Sequence, residues 1–235
     1  MSDALPVALR DQEQMMPGFA RWMYRTVRGD LGETVLDAGA GIGTFTEILV
    51  ADHRRVAVLE TEPAFLDSIR TRFDSNSAVT VHRGDLTDEN SLAGIGAVDS
   101  VLCLNVLEHI DDDQAAMRNL LKQTKPGGNM VALVPAYPWL LNKMDRAIGH
   151  HRRYGRGEFV QRLESSGWKV ERVFRFNAFG LPGWFVAGNL LRRSTPGRGL
   201  YRLFDSLVPV FALLERMLIR GSIGLSLIAV CRRVD

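Results

Sequence analysis

Short apolar segments alternate with amphipathic segments over residues 33–135. The apolar segments are rich in Val, Leu and Ala, and they cover residues 34–36, 55–59, 78–81, 98–104 and 129–134. Helical spacing of apolar positions predicts helices between them, over residues 43–50, 62–73 and 111–123. Short buried strands separated by helices are typical of a parallel sheet with helices on both faces. The pattern therefore predicts an α/β fold of three layers.

The pattern before residue 30 and after residue 135 is different. A helix is predicted over residues 10–28, another over 158–165, and two further strands over 168–176 and 221–231. Residues 178–220 form an apolar, partly helical insertion that is interrupted by Pro182, Pro196 and Pro209. We interpret residues 1–235 as one domain. It has a helical segment (1–30), a core (31–135) and elements that cover the ligand-binding edge of the sheet (136–235, with the 178–220 insertion).

The composition is that of an ordinary globular chain. Of its 235 residues, 46% are apolar and 24% are charged, and no apolar run reaches the ~20 residues that span a bilayer. The beginning of the sequence lacks the apolar core of a secretory signal, and Cys103 and Cys231 lie inside apolar runs. We therefore expect a cytoplasmic protein, with peripheral membrane contact as an option, and no metal site.

The positive charge is concentrated in one part of the chain. Residues 143–202 contain 13 Lys and Arg against 4 Asp and Glu, although the net charge of the whole chain is only +2. This asymmetry indicates either a surface that faces an anionic group or an ordinary solvated surface.

The strongest motif is the sequence VLDAGAGIGTFTE at residues 35–47. A strand ends at Asp37, glycines follow at positions 39, 41 and 43, and a helix begins, which is the arrangement of a nucleotide-binding loop. Nicotinamide and flavin enzymes use a Gly-x-Gly-x-x-Gly spacing, whereas position 44 here is Thr. The carboxylate of Asp37 would repel a pyrophosphate and attract a cationic ligand. The loop therefore favours a sulfonium cofactor over a dinucleotide.

Further polar residues follow at the ends of successive strands. Glu60 ends the second, Gly84-Asp85-Leu86 follows the third, Asn105 to Ile110 (NVLEHI) follow the fourth, and the turn 125–128 (KPGG) precedes the fifth. Each alone could be a turn or capping residue, but ligands of open α/β sheets bind where these strand ends meet.

These motifs together resemble the class I S-adenosylmethionine-dependent methyltransferases of small-molecule type, over about residues 33–135. The resemblance implies a Rossmann-like three-layer sandwich whose sheet has seven strands, mostly parallel, with an antiparallel last strand; we add a helical cap from the insertion. It also implies S-adenosylmethionine as cofactor and S-adenosylhomocysteine as product. Glu60 would hold the ribose, Asp85 the adenine amino group, and the segment after Asn105 the methionine part. The implied cofactor contacts are Asp37, Gly39, Ala40, Gly41, Gly43, Glu60, Thr61, Gly84, Asp85, Leu86, Asn105, Val106 and His109.

Candidates for the acceptor side are less specific. A histidine can take a proton from an acceptor near neutral pH, and the candidates are His109, His150 and His151. Side chains that could orient or clamp an acceptor are Tyr137, Arg146, Arg152, Arg153, Tyr154 and Trp184. Packing roles remain open for all of these, and if the stretch is helical Arg146 and His150 would share a helix face.

The sequence leaves the acceptor and the partners open. We expect a small apolar or amphiphilic acceptor, such as a lipid, a quinone precursor or a secondary metabolite. The insertion 178–220 could contact an anionic membrane surface or a second copy of the chain. A non-catalytic scaffold is the alternative. Nucleic acid is not expected, because the Asn/Asp-Pro-Pro-Tyr/Phe loop that grips a flipped base is absent after the fourth strand.

Overall fold

The computed structural model describes residues 13–195 and 197–234. Residues 10–12 of the expected first helix and Pro196 of the insertion lie outside the described residues. The strands are β1 (Thr34–Ala38), β2 (Arg55–Glu60), β3 (Val79–Arg83), β4 (Val98–Leu104), β5 (Thr124–Pro135), β6 (Trp168–Phe176) and β7 (Ser226–Arg233). The α-helices are α1 (Pro17–Val27), α2 (Thr44–Ala51), α3 (Pro63–Phe73), α4 (Asp113–Gln123), α5 (Lys143–Ala147), α6 (Arg156–Ser165), α7 (Gly180–Trp184) and α8 (Arg198–Leu214).

The seven strands form one sheet in the order β3-β2-β1-β4-β5-β7-β6. All neighbours from β3 to β5 pair in parallel, and β7 runs antiparallel between β5 and β6. This arrangement confirms the expected fold class: a mostly parallel seven-stranded sheet with an antiparallel last strand. The order changes direction between β1 and β4, so a crevice opens there at the carboxyl ends of the strands.

Alternate residues of the strands belong to two separate hydrophobic cores, one on each face of the sheet. Val35 packs with the helices α1, α2 and α3, while its neighbour Leu36 packs with α4 and α6. Because both faces are covered, the central strands are buried along almost their whole length.

Several boundaries differ from the predictions. The KPGG stretch lies inside β5 as a bulge rather than in a turn before it, because Val98 pairs with Thr124 and Ser100 with Asn129. The backbone of Gly127 in this bulge has a φ of +74°, which favours glycine. The last strand begins at Ser226 rather than near residue 221, and α5 has only five residues.

The insertion folds as a helical cap over the edge of the sheet. Helix α7 continues as one π-helical stretch to Leu190, and α8 continues as another to Ile219. The expected interruption at Pro182 and Pro209 is wrong, because both prolines lie within helices. Glu215 fixes the cap to the end of β6: its carboxylate accepts hydrogen bonds from the backbone N–H groups of Asn177 and Ala178 at 2.9 and 2.8 Å. None of the described helices is long and apolar enough to cross a membrane.

Candidate active site

A cavity of about 980 Å³ lies between the carboxyl ends of the parallel strands and the cap. Its floor consists of the loops after β1, β2, β3 and β4, and its walls come from the cap and from residues that precede α1. The predicted cofactor residues that line it are Gly39, Ala40, Gly41, Glu60, Thr61, Gly84, Asp85, Leu86, Asn105, Val106 and His109. The sheet topology therefore brings eleven predicted residues from four separate segments to one cavity.

The glycine-rich loop presents bare backbone to this cavity. Gly39, Gly41 and Gly43 all have positive φ angles, of +75°, +57° and +84°. A Cβ atom on Gly39 would lie 2.6 Å from Cγ2 of Val106, so the loop after β4 closes against the loop after β1. Gly43 does not line the cavity, because it faces Ile69 and Phe73 of α3 and begins helix α2.

Glu60 fixes the loop and faces the cavity. Its Oε2 accepts a hydrogen bond from the backbone N–H of Gly41 at 2.8 Å, and Oε1 accepts from the N–H groups of Thr61 and Glu62 at 2.7 and 3.0 Å. On the next loop, Oδ1 of Asp85 accepts from the backbone N–H and the hydroxyl of Thr87. These bonds set the direction of both carboxylates at neighbouring strand ends.

Asp37 does not line the cavity, contrary to the sequence argument that put its carboxylate against the ligand. The side chain is buried behind the loop, and its Oδ2 accepts a hydrogen bond from the Thr46 hydroxyl at 2.6 Å. Burial, with the nearby Glu60 charge adding to it, raises the pKa of Asp37 to about 7. Asp37 can therefore act on a ligand only through its field.

Glu13 is a cavity residue that the sequence argument missed. It lies against Gly41, and its Oε2 accepts a hydrogen bond from the Thr44 hydroxyl at 2.7 Å. Burial raises the pKa of Glu13 to about 7, and the charges of Asp37 and Glu60 add to the shift. A helical segment well before the loop in the sequence has no motif that would connect it to the site, so only the fold reveals the contact. Three carboxyl groups thus surround the glycine loop.

Two histidines face the opposite part of the cavity. The rings of His109 and His150 meet edge to face, with centroids 4.8 Å apart, and both line the cavity. Burial lowers the pKa of His109 to about 4, so this ring is neutral at physiological pH. Nδ1 of His150 lies 2.9 Å from Oδ1 of Asp145. Of the three candidate histidines, these two are therefore placed to meet an acceptor.

His151 lies outside the cavity, with its side chain 46% exposed and Nδ1 2.6 Å from Asp111. Arg146 is exposed to solvent, and because α5 ends at Ala147 it does not share a helix face with His150. Arg152 forms ion pairs with Asp111 and Asp113 rather than facing the cavity.

The two tyrosines also lie elsewhere than expected. The prediction that Tyr154 orients an acceptor is wrong, because the side chain is fully buried and its hydroxyl donates to the Leu107 carbonyl and to Asp113. Tyr137 does not line the cavity, and the Arg175 guanidinium lies over its ring, 5.1 Å from the ring centroid.

Arg153 and Trp184 do line the cavity. The guanidinium of Arg153 binds the Asp145 carboxylate through Nε and Nη2, at 2.9 and 2.8 Å, and donates from Nη1 to the Ala136 carbonyl. It therefore holds Asp145, and through it His150, instead of clamping an acceptor anion as expected. The Trp184 ring covers this guanidinium at 5.0 Å.

Residues 36–130 match the family model described as a methyltransferase domain. The Mesorhizobium loti S-adenosylmethionine-dependent methyltransferase has the same fold, with a TM-score of 0.62 over 90% of this chain and 98% of that chain, at 16% identity. The Bradyrhizobium japonicum N-methyltransferase NodS, solved with S-adenosylhomocysteine, superposes with a TM-score of 0.57 over 92% of this chain and 85% of its own, also at 16% identity. Residues 36–130 therefore form a methyltransferase domain, and the chain has the fold of S-adenosylmethionine-dependent methyltransferases. The resemblance drawn from the motifs is thus confirmed.

A curated relative extends the comparison beyond the methyltransferase domain. The ubiquinone biosynthesis O-methyltransferase of Xanthomonas oryzae pv. oryzae is 29% identical over 159 residues, which cover 62% of this chain and 64% of that protein. The chain therefore spans a little under two thirds of the length of this relative.

Proposed function

We propose that the chain transfers the methyl group of S-adenosylmethionine to a small apolar or amphiphilic acceptor and releases S-adenosylhomocysteine. One observation carries this proposal: a single cavity joins an acidic glycine-rich loop to a region of two histidines beneath an aromatic cap. The curated O-methyltransferase relative supports a small-molecule acceptor.

The end of the cavity at the glycine-rich loop suits a cationic cofactor. Glu13, Asp37 and Glu60 surround a backbone cradle that has no counter-cation in its own side chains. A sulfonium and an ammonium group would lower the electrostatic energy of these carboxyls, whereas a pyrophosphate would raise it. The carboxylate of Glu60 then holds the ribose hydroxyls, and Asp85 holds the adenine amino group, as the family resemblance implies.

The end of the cavity near His109 and His150 suits the acceptor. Methyl transfer is an in-line displacement in which the acceptor's lone pair forms a bond to the methyl carbon, and the carbon–sulfur bond breaks with its electron pair going to sulfur. An acceptor hydroxyl or amine must also lose a proton. The cluster around His109 and His150 is the part of the acceptor region that can assist this loss, and His151 is too far out to do so.

Binding and turnover measurements test the proposal. Calorimetric titration with S-adenosylmethionine, S-adenosylhomocysteine and NAD should give heat with the first two ligands only. Glu60→Gln should weaken the binding of both, while Glu33→Gln, an exposed change near the opposite end of β1, should not. Release of S-adenosylhomocysteine is then followed with phenolic, quinol and lipid acceptors. Binding of NAD alone would overturn the proposal, and cofactor binding without turnover of any acceptor would favour the scaffold alternative.

We further propose that the outer face of the cap contacts an anionic membrane surface, from which an amphiphilic acceptor could enter. Both acidic residues of the 178–220 segment are used internally: Asp205 accepts from the backbone of Gly18 and Phe19, and Glu215 from that of Asn177 and Ala178. The segment's arginines are all exposed, at positions 192, 193, 198, 202, 216 and 220. Exposed apolar side chains lie between or directly before them in the sequence: Leu190, Leu191, Leu203, Leu207, Val210, Leu213, Met217 and Leu218. Exposed apolar side chains interspersed with exposed cationic ones are typical of interfacial helices.

Sedimentation with vesicles tests this second proposal. The protein should bind vesicles that contain an anionic phospholipid and not purely zwitterionic ones, and binding should fall as salt is raised. Arg192→Glu combined with Arg193→Glu should abolish binding, whereas Arg55→Glu, at the start of β2, should not. A dimer in solution with no vesicle binding would assign this face to a second copy of the chain instead.

A further inference from the structure

Three potential metal ligands meet at the acceptor end of the cavity. Glu108 and His109 lie in the short turn after β4, and His150 follows α5. One ligand atom from each of the three lies within 4.8 Å of the other two. Two ligands bound to the same ion at ~2.0–2.2 Å are roughly 3.0–4.3 Å apart, so small side-chain adjustments would close this set around one ion.

The carboxyl group of Glu108 is the unexplained member of this set. The side chain is fully buried, and neither of its oxygens has a hydrogen-bond partner among the described residues. Nε2 of His150 lies 3.6 Å from Oε1, which is longer than a hydrogen bond. Buried carboxyl groups without partners are rare, because burial removes their hydration without replacing it. A cation bound to Glu108 would supply the missing interaction.

Both histidines are oriented as metal ligands usually are. Nδ1 of His109 lies 3.2 Å from the Gly149 carbonyl, and since a carbonyl only accepts, Nδ1 must carry the hydrogen. Nδ1 of His150 donates in the same way to Asp145, whose carboxylate is held by Arg153. The lone pair of each ring therefore lies on Nε2. A carbonyl or carboxylate behind each imidazole is the usual arrangement around a protein-bound metal, where it fixes the tautomer and the ring orientation.

We propose that Glu108, His109 and His150 bind one divalent transition-metal ion at the acceptor end of the cavity. Two imidazoles and one carboxylate suit Zn²⁺ and Fe²⁺, whereas Mg²⁺ and Ca²⁺ prefer sets of oxygen ligands. A divalent ion bound by the Glu108 carboxylate and by two neutral imidazoles forms a complex with a net charge of +1. His109 and His150 line the cavity, so the remaining coordination positions open toward it.

The ion would act on the acceptor, a role that rests on the proposed methyl transfer. A hydroxyl oxygen of the acceptor takes an open position on the ion and loses its proton to water, because coordination lowers the pKa of a bound hydroxyl. The oxygen then forms the new bond to the methyl carbon, and the sulfur leaves with the electrons of the broken bond. Acceptors with an oxygen that can reach the ion, such as phenols or catechols, are the substrate class that this site selects.

Metal binding is measured on the full, tag-free chain, without cofactor or acceptor. Chelator-treated protein is titrated with Zn²⁺ against a chromophoric competitor, and Co²⁺ is used to record a visible ligand-field spectrum. The wild type should bind one ion per chain. Glu108→Gln and, separately, His150→Ala should weaken binding on the order of 100-fold or more. His151→Ala removes an adjacent exposed imidazole and should leave binding unchanged.

Two further measurements separate this proposal from the proposed function. Thermal unfolding of each variant is compared with and without Zn²⁺; the wild type and His151→Ala should gain stability from the ion, and the two ligand variants should not. S-adenosylmethionine binding is measured independently on the chelated protein. Zinc binding at the triad without cofactor binding would leave the metal site and remove the methyltransferase proposal. Equal zinc affinity in the wild type and both ligand variants, or no binding in the wild type, would overturn the metal site while leaving cofactor binding unaffected.

Discussion

Replacing Asp37 by Asn should make the ligand-free protein more stable at high pH while weakening its affinity for S-adenosylmethionine. The carboxyl of Asp37 is buried, and its pKa is raised from 3.8 to about 7 in the folded chain. A carboxyl with a raised pKa holds its proton more tightly in the folded state than in the unfolded one. The wild type therefore loses stability as the pH rises from about 4 to about 7, and the Asn variant lacks this loss.

The size of the Asp37 pKa shift determines how much the free energy of unfolding changes with pH. One pKa unit corresponds to about 1.36 kcal/mol, so ionising Asp37 in the folded chain costs about 4 kcal/mol at high pH. Between about pH 5.5 and about pH 8.5, the free energy of unfolding of Asp37→Asn should rise relative to that of the wild type by about 2 kcal/mol. The Asn side chain still accepts from the Thr46 hydroxyl through its carbonyl oxygen. Any cost of burying its amide group is the same at both pH values, so the difference between them isolates the ionisation.

Urea unfolding at the two pH values measures this difference, with Asp67→Asn, an exposed position on α3, as the matched control. The same proteins are titrated with S-adenosylmethionine and S-adenosylhomocysteine. Removing the buried negative charge should weaken S-adenosylmethionine binding by roughly tenfold, and S-adenosylhomocysteine binding by less, because only the former carries a sulfonium. A stability difference that does not change with pH would refute the inference that the loop stores an unfavourable negative charge. Equal losses for the two ligands would refute the inference that this charge attracts the sulfonium.

Three further substitutions test the geometry of the site. Gly39→Ala should lower stability by about 2 kcal/mol or more and abolish cofactor binding in calorimetry, because φ is +75° and a Cβ would lie 2.6 Å from Val106. Tyr154→Phe should lower the free energy of unfolding by about 1–3 kcal/mol in urea, because it leaves the buried Leu107 carbonyl without its donor, and cofactor binding should be retained. Glu215→Gln should increase amide hydrogen exchange across the cap with little change in β1 to β4, since one of the two backbone N–H groups that it holds loses its acceptor.

The placement of the expected cofactor residues at one cavity was predictable because parallel strands place their carboxyl ends at one edge. Glu60, Asp85 and Asn105 each follow a strand that an apolar run identifies, so locating the strands also locates these residues. The sequence order of the strands is irrelevant to this inference. It requires only that the strands be parallel and neighbours, as β1, β2, β3 and β4 are.

The acceptor end was harder to predict because its residues lie on irregular segments. His150 and His151 are adjacent, and the sequence around them has no helical or strand periodicity. Nothing in it therefore indicates which histidine faces the cavity and which faces solvent. The structure separates them through backbone contacts: the N–H of His150 bonds to the Asp145 carbonyl, and that of His151 to the Glu108 carbonyl. Tyr154 lies in the core because its backbone forms hydrogen bonds with the backbone of Pro135 and Tyr137 beside β5. None of these contacts has a local sequence pattern.

Glu13 illustrates a different limit of prediction from the sequence. Its segment has the apolar spacing of any helix that packs on a sheet, and an acid there would ordinarily be assigned to solvent. Its carboxylate instead enters the site because α1 packs beside α2, which begins at the glycine loop. The contact depends on how two helices dock, and that is decided by the shape of the complete core.

The two ends of the cavity differ in their electrostatics, and under the proposed methyl transfer this difference would act differently on the cofactor and on its product. Under the proposed function, the positive sulfonium would lie near Glu13, Asp37 and Glu60 before the reaction, and their carboxyl groups would favour it. After the reaction, the sulfur is neutral and the attraction of these carboxyls for the product is reduced to that for its ammonium group. The product should therefore bind more weakly than the cofactor, and the difference in binding free energy should grow with the negative charge on the loop. At the other end the acceptor would release its positive charge as a proton beside His109, whose pKa burial lowers to about 4. The same arrangement that attracts the cofactor thus also promotes release of the spent cofactor, and Asp37→Asn should weaken both effects together.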